Sequence, residues 1–166
     1  KIFPPVVIIN CLPFGYTTIL ANKLNDISKL QVKEAEHKDR LKPGMAFVAP
    51  SDYHIKTIKS VNNYELLLDK GELVNNHRPS MDILFNSIAN EYKEKSINII
   101  VSGLSKDGLL GIKAIKSANG KIITQNKDSA IFYDIIDKID KEGLLDFEIS
   151  LEKIPDKIIE LLEENN

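Results

Sequence analysis

Tryptophan is absent, cysteine occurs once and histidine three times in the 166 residues. One thiol closes no internal disulfide, so the fold has to rest on its apolar core, the usual condition of a reducing compartment. The histidines and the cysteine show no metal-ligand spacing, and no cofactor is expected. Charge of one sign is missing as well. The formal net charge is -2 with acidic and basic residues interspersed, which gives no field for gathering nucleic acid or an anionic membrane. Val6-Val7-Ile8-Ile9 is far too short for a secretory leader core or a membrane span. Together these absences predict a cytoplasmic protein with no nucleic-acid partner and no membrane insertion. Neither repeats nor low-complexity tracts occur, and residues 1–166 read as a single domain long enough to bury a substantial core.

The most informative stretch runs from Ile97 to Gly108. Ile97, Ile99, Ile100 and Val101 form a short β-branched run of the kind found in a parallel strand covered on both faces, ended by Ser102-Gly103. Leu109, Leu110, Ile112, Ala114 and Ile115 then recur at helical spacing. The intervening loop therefore lies between a strand's C-terminal end and a helix N-terminus, where open α/β sheets bind ligands. Asp107 is either the N-cap of that helix or a site carboxylate. A metal-dependent phosphoacceptor role for it fails, because no acidic residues end the Val6 strand.

The same strand, polar turn and helix arrangement begins at Val6–Ile9, breaks at Asn10–Pro13 and continues as a helix from about Gly15 to Ile27. Gln31–Glu36 reads as a short strand, Pro43-Gly44 as a turn and Met45–Val48 as another extended run. His54–Ile58 and Tyr64–Leu68 flank Ser60–Asn63 as an antiparallel flap, with Asn62-Asn63 supplying the positive φ values of a tight turn. Ser80 is placed to cap a helix from Met81 to about Lys95. Ile122–Thr124 forms a further strand, followed by helices over Ile131–Ile139 and Leu151–Glu163. The fold class is α/β: a doubly wound, mostly parallel sheet with helices on both faces and a small antiparallel hairpin.

Glu34-Ala35-Glu36, Pro43-Gly44, Val48-Ala49-Pro50 with His54, the run Val74-Asn75-Asn76-His77-Arg78-Pro79-Ser80-Met81-Asp82-Ile83-Leu84-Phe85, Gly103 with Asp107-Gly108, and Thr124-Gln125-Asn126 follow one another in a diagnostic order. In order and spacing the chain resembles, over nearly its whole length, the catalytic domain of the chemotaxis protein-glutamate methylesterase. The resemblance implies hydrolysis of γ-glutamyl methyl esters, and deamidation of certain glutamines, in the cytoplasmic region of chemoreceptors by a Ser-His-Asp triad. Asp107 matches the family's Asp. Ile9-Asn10-Cys11-Leu12-Pro13 stands where the family reads Val-Gln-His-Met-Pro, so Cys11 takes the position of the general base. The nucleophilic Ser belongs to a strand expected upstream of Lys1, which makes the chain N-terminally truncated relative to the family. Leu104, beside Gly103, takes the position whose backbone N–H meets the developing oxyanion. Ala-Pro-Gly of the family reads Ala49-Pro50-Ser51, and Phe-Gly-Met-Pro reads Tyr133-Asp134-Ile135-Ile136; both changes are expected to reshape the pocket.

Three readings follow: a working esterase with an unusual base position, a catalytically silent receptor-binding or regulatory homologue, or a thiol enzyme with Cys11 as nucleophile and His54 or His77 as base. The bland alternative for Cys11 is a small buried hydrophobe. His77, Arg78 and His54 are the pocket or partner-binding candidates, with His77 and Arg78 tying a loop down and His54, like His37, solvated. In the family the Ser-bearing strand lies between those matching Val6–Ile9 and Ile97–Val101. These two are therefore expected to pair directly in parallel, or to accept a segment of another chain.

Overall fold

Alternation along the buried strands decides the layering. In the computed structural model, which describes residues 3–103 and 107–164, the elements run β1 (Val6–Ile8), α1 (Tyr16–Ile27), β2 (Gln31–Glu34), β3 (Met45–Val48), β4 (His54–Lys59), β5 (Tyr64–Asp69), α2 (Met81–Tyr92), β6 (Ile97–Ile100), α3 (Leu109–Ser117), β7 (Lys121–Gln125), α4 (Asp134–Lys141), β8 (Phe147–Ile149) and α5 (Ile154–Glu164). One parallel sheet has the order β1-β3-β2, a second β6-β7-β8, and β4 pairs with β5 as an antiparallel hairpin. Along β3, Ala46 and Val48 face α1 while Phe47 packs with Ile55 and Leu66 of the hairpin and Leu84 of α2. Along β7, Ile122 packs with α2, α3 and α4, and Ile123 with Ile154 and Leu161 of α5. Successive side chains thus enter cores on opposite faces, which is why these strands read as continuous apolar runs.

Helix α2 joins the two halves. Its Leu84 lies in the core of the first sheet and its neighbour Phe85 in that of the second, with Ile88 touching both. Against this helix α3 packs very closely: a Cβ on Gly111 would stand 2.7 Å from Phe85 Cβ and 3.0 Å from Asp82 Cα, a distance only glycine permits.

Several expectations need correction. β1 and β6 do not pair directly; each is the edge of its own sheet. Val6–Ile8, Ile97 and Ile99 are half-buried and Val101 is exposed, and α2 supplies the continuity of the core between the two sheets. The flap closes with Ser60 N–H donating to Asn63 O, yet neither Asn62 nor Asn63 has positive φ. The tight Asn-Asn turn is instead Asn75-Asn76, with φ of 51° and 64°. β8 was not foreseen, since three residues carry too little periodicity. α2 ends at Tyr92, where a short 3-10 turn takes over, and α4 begins at Asp134, three residues later than expected. Among the described residues, no helix is long and apolar enough to cross a membrane.

Candidate active site

A cleft of about 730 Å³ opens where β1 and β6 end, lined by Cys11 and Leu12 after β1, Gly103 and Asp107 after β6, and His77 and Phe132. It occupies the carboxyl ends of parallel strands, the usual binding edge of an open α/β sheet.

Asp107 is fully buried. It does not cap α3, whose N-cap is Gly108 at a φ of 109° with no side-chain bond. Its carboxylate instead serves the neighbouring helix: Oδ1 accepts from Ser80 Oγ at 2.8 Å and Asn75 Nδ2 at 3.2 Å, and Oδ2 accepts from the Met81 N–H in the first turn of α2. The service is returned. Asp82, in that first turn, accepts the Gly111 N–H of α3 on Oδ1 at 2.7 Å and Asn75 Nδ2 on Oδ2 at 3.0 Å. Each helix therefore lends a carboxylate to the N-terminal end of the other, where unpaired N–H groups and the helix dipole favour negative charge. Ser80 caps α2 as expected, its Oγ also accepting the Ile83 N–H at 3.4 Å.

Cys11 lines the same cleft and is exposed, so the reading as a buried hydrophobe is overturned. Asn10 Oδ1 accepts the Leu12 N–H at 3.1 Å and Ser51 Oγ donates to Leu12 O at 2.7 Å and Pro13 O at 3.1 Å, which holds the Cys11 loop against the end of β3. Ser51, where the resemblance implies Gly, is thus an anchor for this wall.

His77 and Arg78 both line the cleft, carried by the turn in which Val74 and His77 exchange backbone bonds. The Arg78 guanidinium is committed elsewhere: it bonds Asp52 through Nε and Nη2, and donates through Nη1 to Gly71 O at 2.7 Å. That bond holds the Asp52 carboxyl below its ordinary value. His54, grouped with these two by the sequence, is neither solvated nor in the cleft. It is 1% exposed, and its Nε2 donates to Glu72 O at 2.8 Å while Nδ1 accepts the Ser80 N–H at 3.3 Å. A Ser, a His and an Asp do meet here, but with the wrong connectivity for catalysis. The Ser80 hydroxyl gives its proton to Asp107, and His54 touches only the Ser80 backbone, so no base faces the oxygen. Its strand position alone could not reveal that burial.

Gly103 N–H donates to Phe132 O at 3.2 Å, and Ser102 Oγ meets the Phe132 backbone at 3.1 and 3.2 Å. Leu104 lies outside the described residues. The Tyr133–Ile136 segment turns away from the cleft. The Tyr133 hydroxyl donates to Glu148 at 2.8 Å, and burial first, then that bond, pushes its pKa up to about 12, leaving Phe132 as the wall. The sequence analysis carries Asn75 and Asp82 only as part of the diagnostic run and Ser51 only as a departure from the family's Gly; their bonding roles come from the structure.

Comparison with known proteins agrees with this geometry. Residues 1–158 match the CheB methylesterase family. The protein-glutamate methylesterase/protein-glutamine glutaminase 2 of Shewanella oneidensis is 35% identical over 97% of the chain and 46% of its own length. The protein-glutamate methylesterase/protein-glutamine glutaminase of Thermotoga maritima is 36% identical over 98% of the chain and 47% of its own length. The chain thus spans about half the length of these relatives. The crystal structure of the Thermotoga maritima CheB methylesterase catalytic domain superposes with a TM-score of 0.92 at 36% identity, covering 96% of this chain and 85% of that one. A doubly wound fold shared almost end to end, at this identity and with a cleft at its strand ends, makes the chain a member of the CheB methylesterase family.

Proposed function

We propose that this chain is a methylesterase-type domain that engages chemoreceptor cytoplasmic regions and in which ester hydrolysis and glutamine deamidation are strongly weakened. What supports this is Cys11, which the resemblance places at the family's base position and which is exposed on the same cleft as Asp107. Imidazole takes a proton from a hydroxyl and returns it to a leaving group near neutral pH, and a thiol does neither well. Asp107 is the family's acid, and its burial within the capping network gives it a structural task whether or not turnover occurs. Leu104 keeps the oxyanion role in this reading through its backbone N–H; the Gly103 N–H could join only if the Phe132 carbonyl gave way. His77 sits where it meets whatever enters, while Arg78 braces the loop beneath. A catalytically silent receptor-binding module is the second reading, favoured by the intact double capping of α2 and α3 beside the altered base position.

Methanol release from methylated receptor membranes, assayed on the natural protein carrying this sequence, tests the proposal. The expected rate is lower than that of a relative with the imidazole by about 100-fold or more, the usual worth of a positioned base. Equal rates would overturn the impairment. Failure to co-sediment with those membranes would overturn receptor engagement.

A further inference from the structure

Asn75 is an exposed residue whose side chain reaches into a buried place. Its Nδ2 donates to Asp82 Oδ2 at 3.0 Å and to Asp107 Oδ1 at 3.2 Å, and these carboxylates are 5% and 0% exposed. An amide nitrogen offers two protons and so satisfies both; a carbonyl oxygen there would bring a third acceptor against two negative groups. The same residue is the first of the two positive-φ positions in the turn closed by Val74 and His77, whose N–H···O bonds measure 3.2 and 2.8 Å. Asn76 and His77, the next two residues, line the cleft.

We propose that Asn75 is a positioning residue, which holds the turn bearing Asn76 and His77 in register with Asp107 by bonding the two exchanged carboxylates at once. Beside the Ser80 and Met81 bonds to Asp107, the amide is a link between two parts of the cleft lining, the turn and the Asp107 end of the loop before α3. The proposal rests on reading this cleft as the place where the receptor side chain enters. Its test measures position rather than turnover, so a negative methanol assay leaves the outcome unchanged.

The test is NMR on the isotopically labelled full chain. In the wild type, the Asn75 side-chain NH₂ is expected to exchange with solvent about tenfold more slowly than that of exposed Asn62, the factor expected for a hydrogen bond to a charged group. Equal exchange rates overturn the proposal. Asn75→Gly keeps the turn's backbone accessible and removes the amide. Here the His77 ring and Asp107 carboxyl resonances are expected to shift while that of the core Ile115 methyl stays. A purely structural contribution would lower stability and leave the His77 ring unmoved in the folded state, which also overturns it. If Asn75→Gly does not fold, the wild-type exchange ratio decides.

Discussion

The two strand–turn–helix units that face each other across the cleft look alike in outline and differ in how their turns are held. After β1, residues 11–16 are all exposed, and α1 starts from Gly15 at a φ of 84° with no side-chain cap. The nearest carboxylate, Glu34, takes the hydroxyls of Thr17 and Thr18 rather than backbone N–H groups. After β6, Asp107 and Gly108 are buried, and the start of α3 is locked to the start of α2 by exchanged carboxylates. The difference assigns their tasks. Asp107 and Gly108, at the helix end of the α3 turn, are a wall whose charge is part of the fold, and the α1 turn presents Cys11 on a surface that composition can change at little cost.

The largest effect expected is from Asp107→Ala, which strands the Met81 N–H and Ser80 hydroxyl in a buried site and lowers unfolding free energy by about 3 kcal/mol in urea titration. Cys11→Ala is its counterpart and is expected to change stability by less than about 0.5 kcal/mol. Similar losses for the two would erase the distinction between the turns. Next comes Gly111→Ala, where the new methyl meets Phe85 and the Asp82 backbone; a loss of about 2 kcal/mol is expected, with α2 and α3 forced apart. Glu34→Ala sharpens the comparison from the open side, removing the Thr17 and Thr18 contacts for about 1 kcal/mol by the same titration.

The smallest effect concerns Arg78. An NMR titration should find the Asp52 carboxyl midpoint below its ordinary value, and Arg78→Gln should return it upward. Because the folded midpoint is depressed, the pair's contribution is present above the ordinary carboxyl range and fades as pH falls through the lower midpoint. An unmoved midpoint in the variant would show that Arg78 does not hold Asp52 in solution.

Much of the fold was legible because it rests on local pattern. The runs at Val6, Ile97 and Ile122 announce strands covered on two faces, and Ser80 announces a helix start, since a cap needs only the three residues that follow it. Positive φ falls at Asn75-Asn76 and not at Asn62-Asn63, because both pairs carry the same local preference and only the Val74–His77 bonding selects between them. His54 misled for a related reason: an alternating strand reads alike whether its polar face meets water or, as here, the Ser80 N–H and the Glu72 carbonyl.

By itself the sequence determined the α/β class, the family, the place of the cleft at the strand ends, and Cys11 where an imidazole is implied, all of which follow from residue order along one chain. Only the tertiary structure decided that Asp107 serves the first turn of α2 instead of its own helix, that Asp82 answers for α3, and that Asn75 spans both. Apart from Asn75 to Asp82, seven positions along the chain, those bonds join residues 26 or more positions apart through the close α2–α3 contact at Gly111. A carboxylate's partners are chosen by which N–H groups packing brings within 3 Å, and no spacing along the chain encodes that distance.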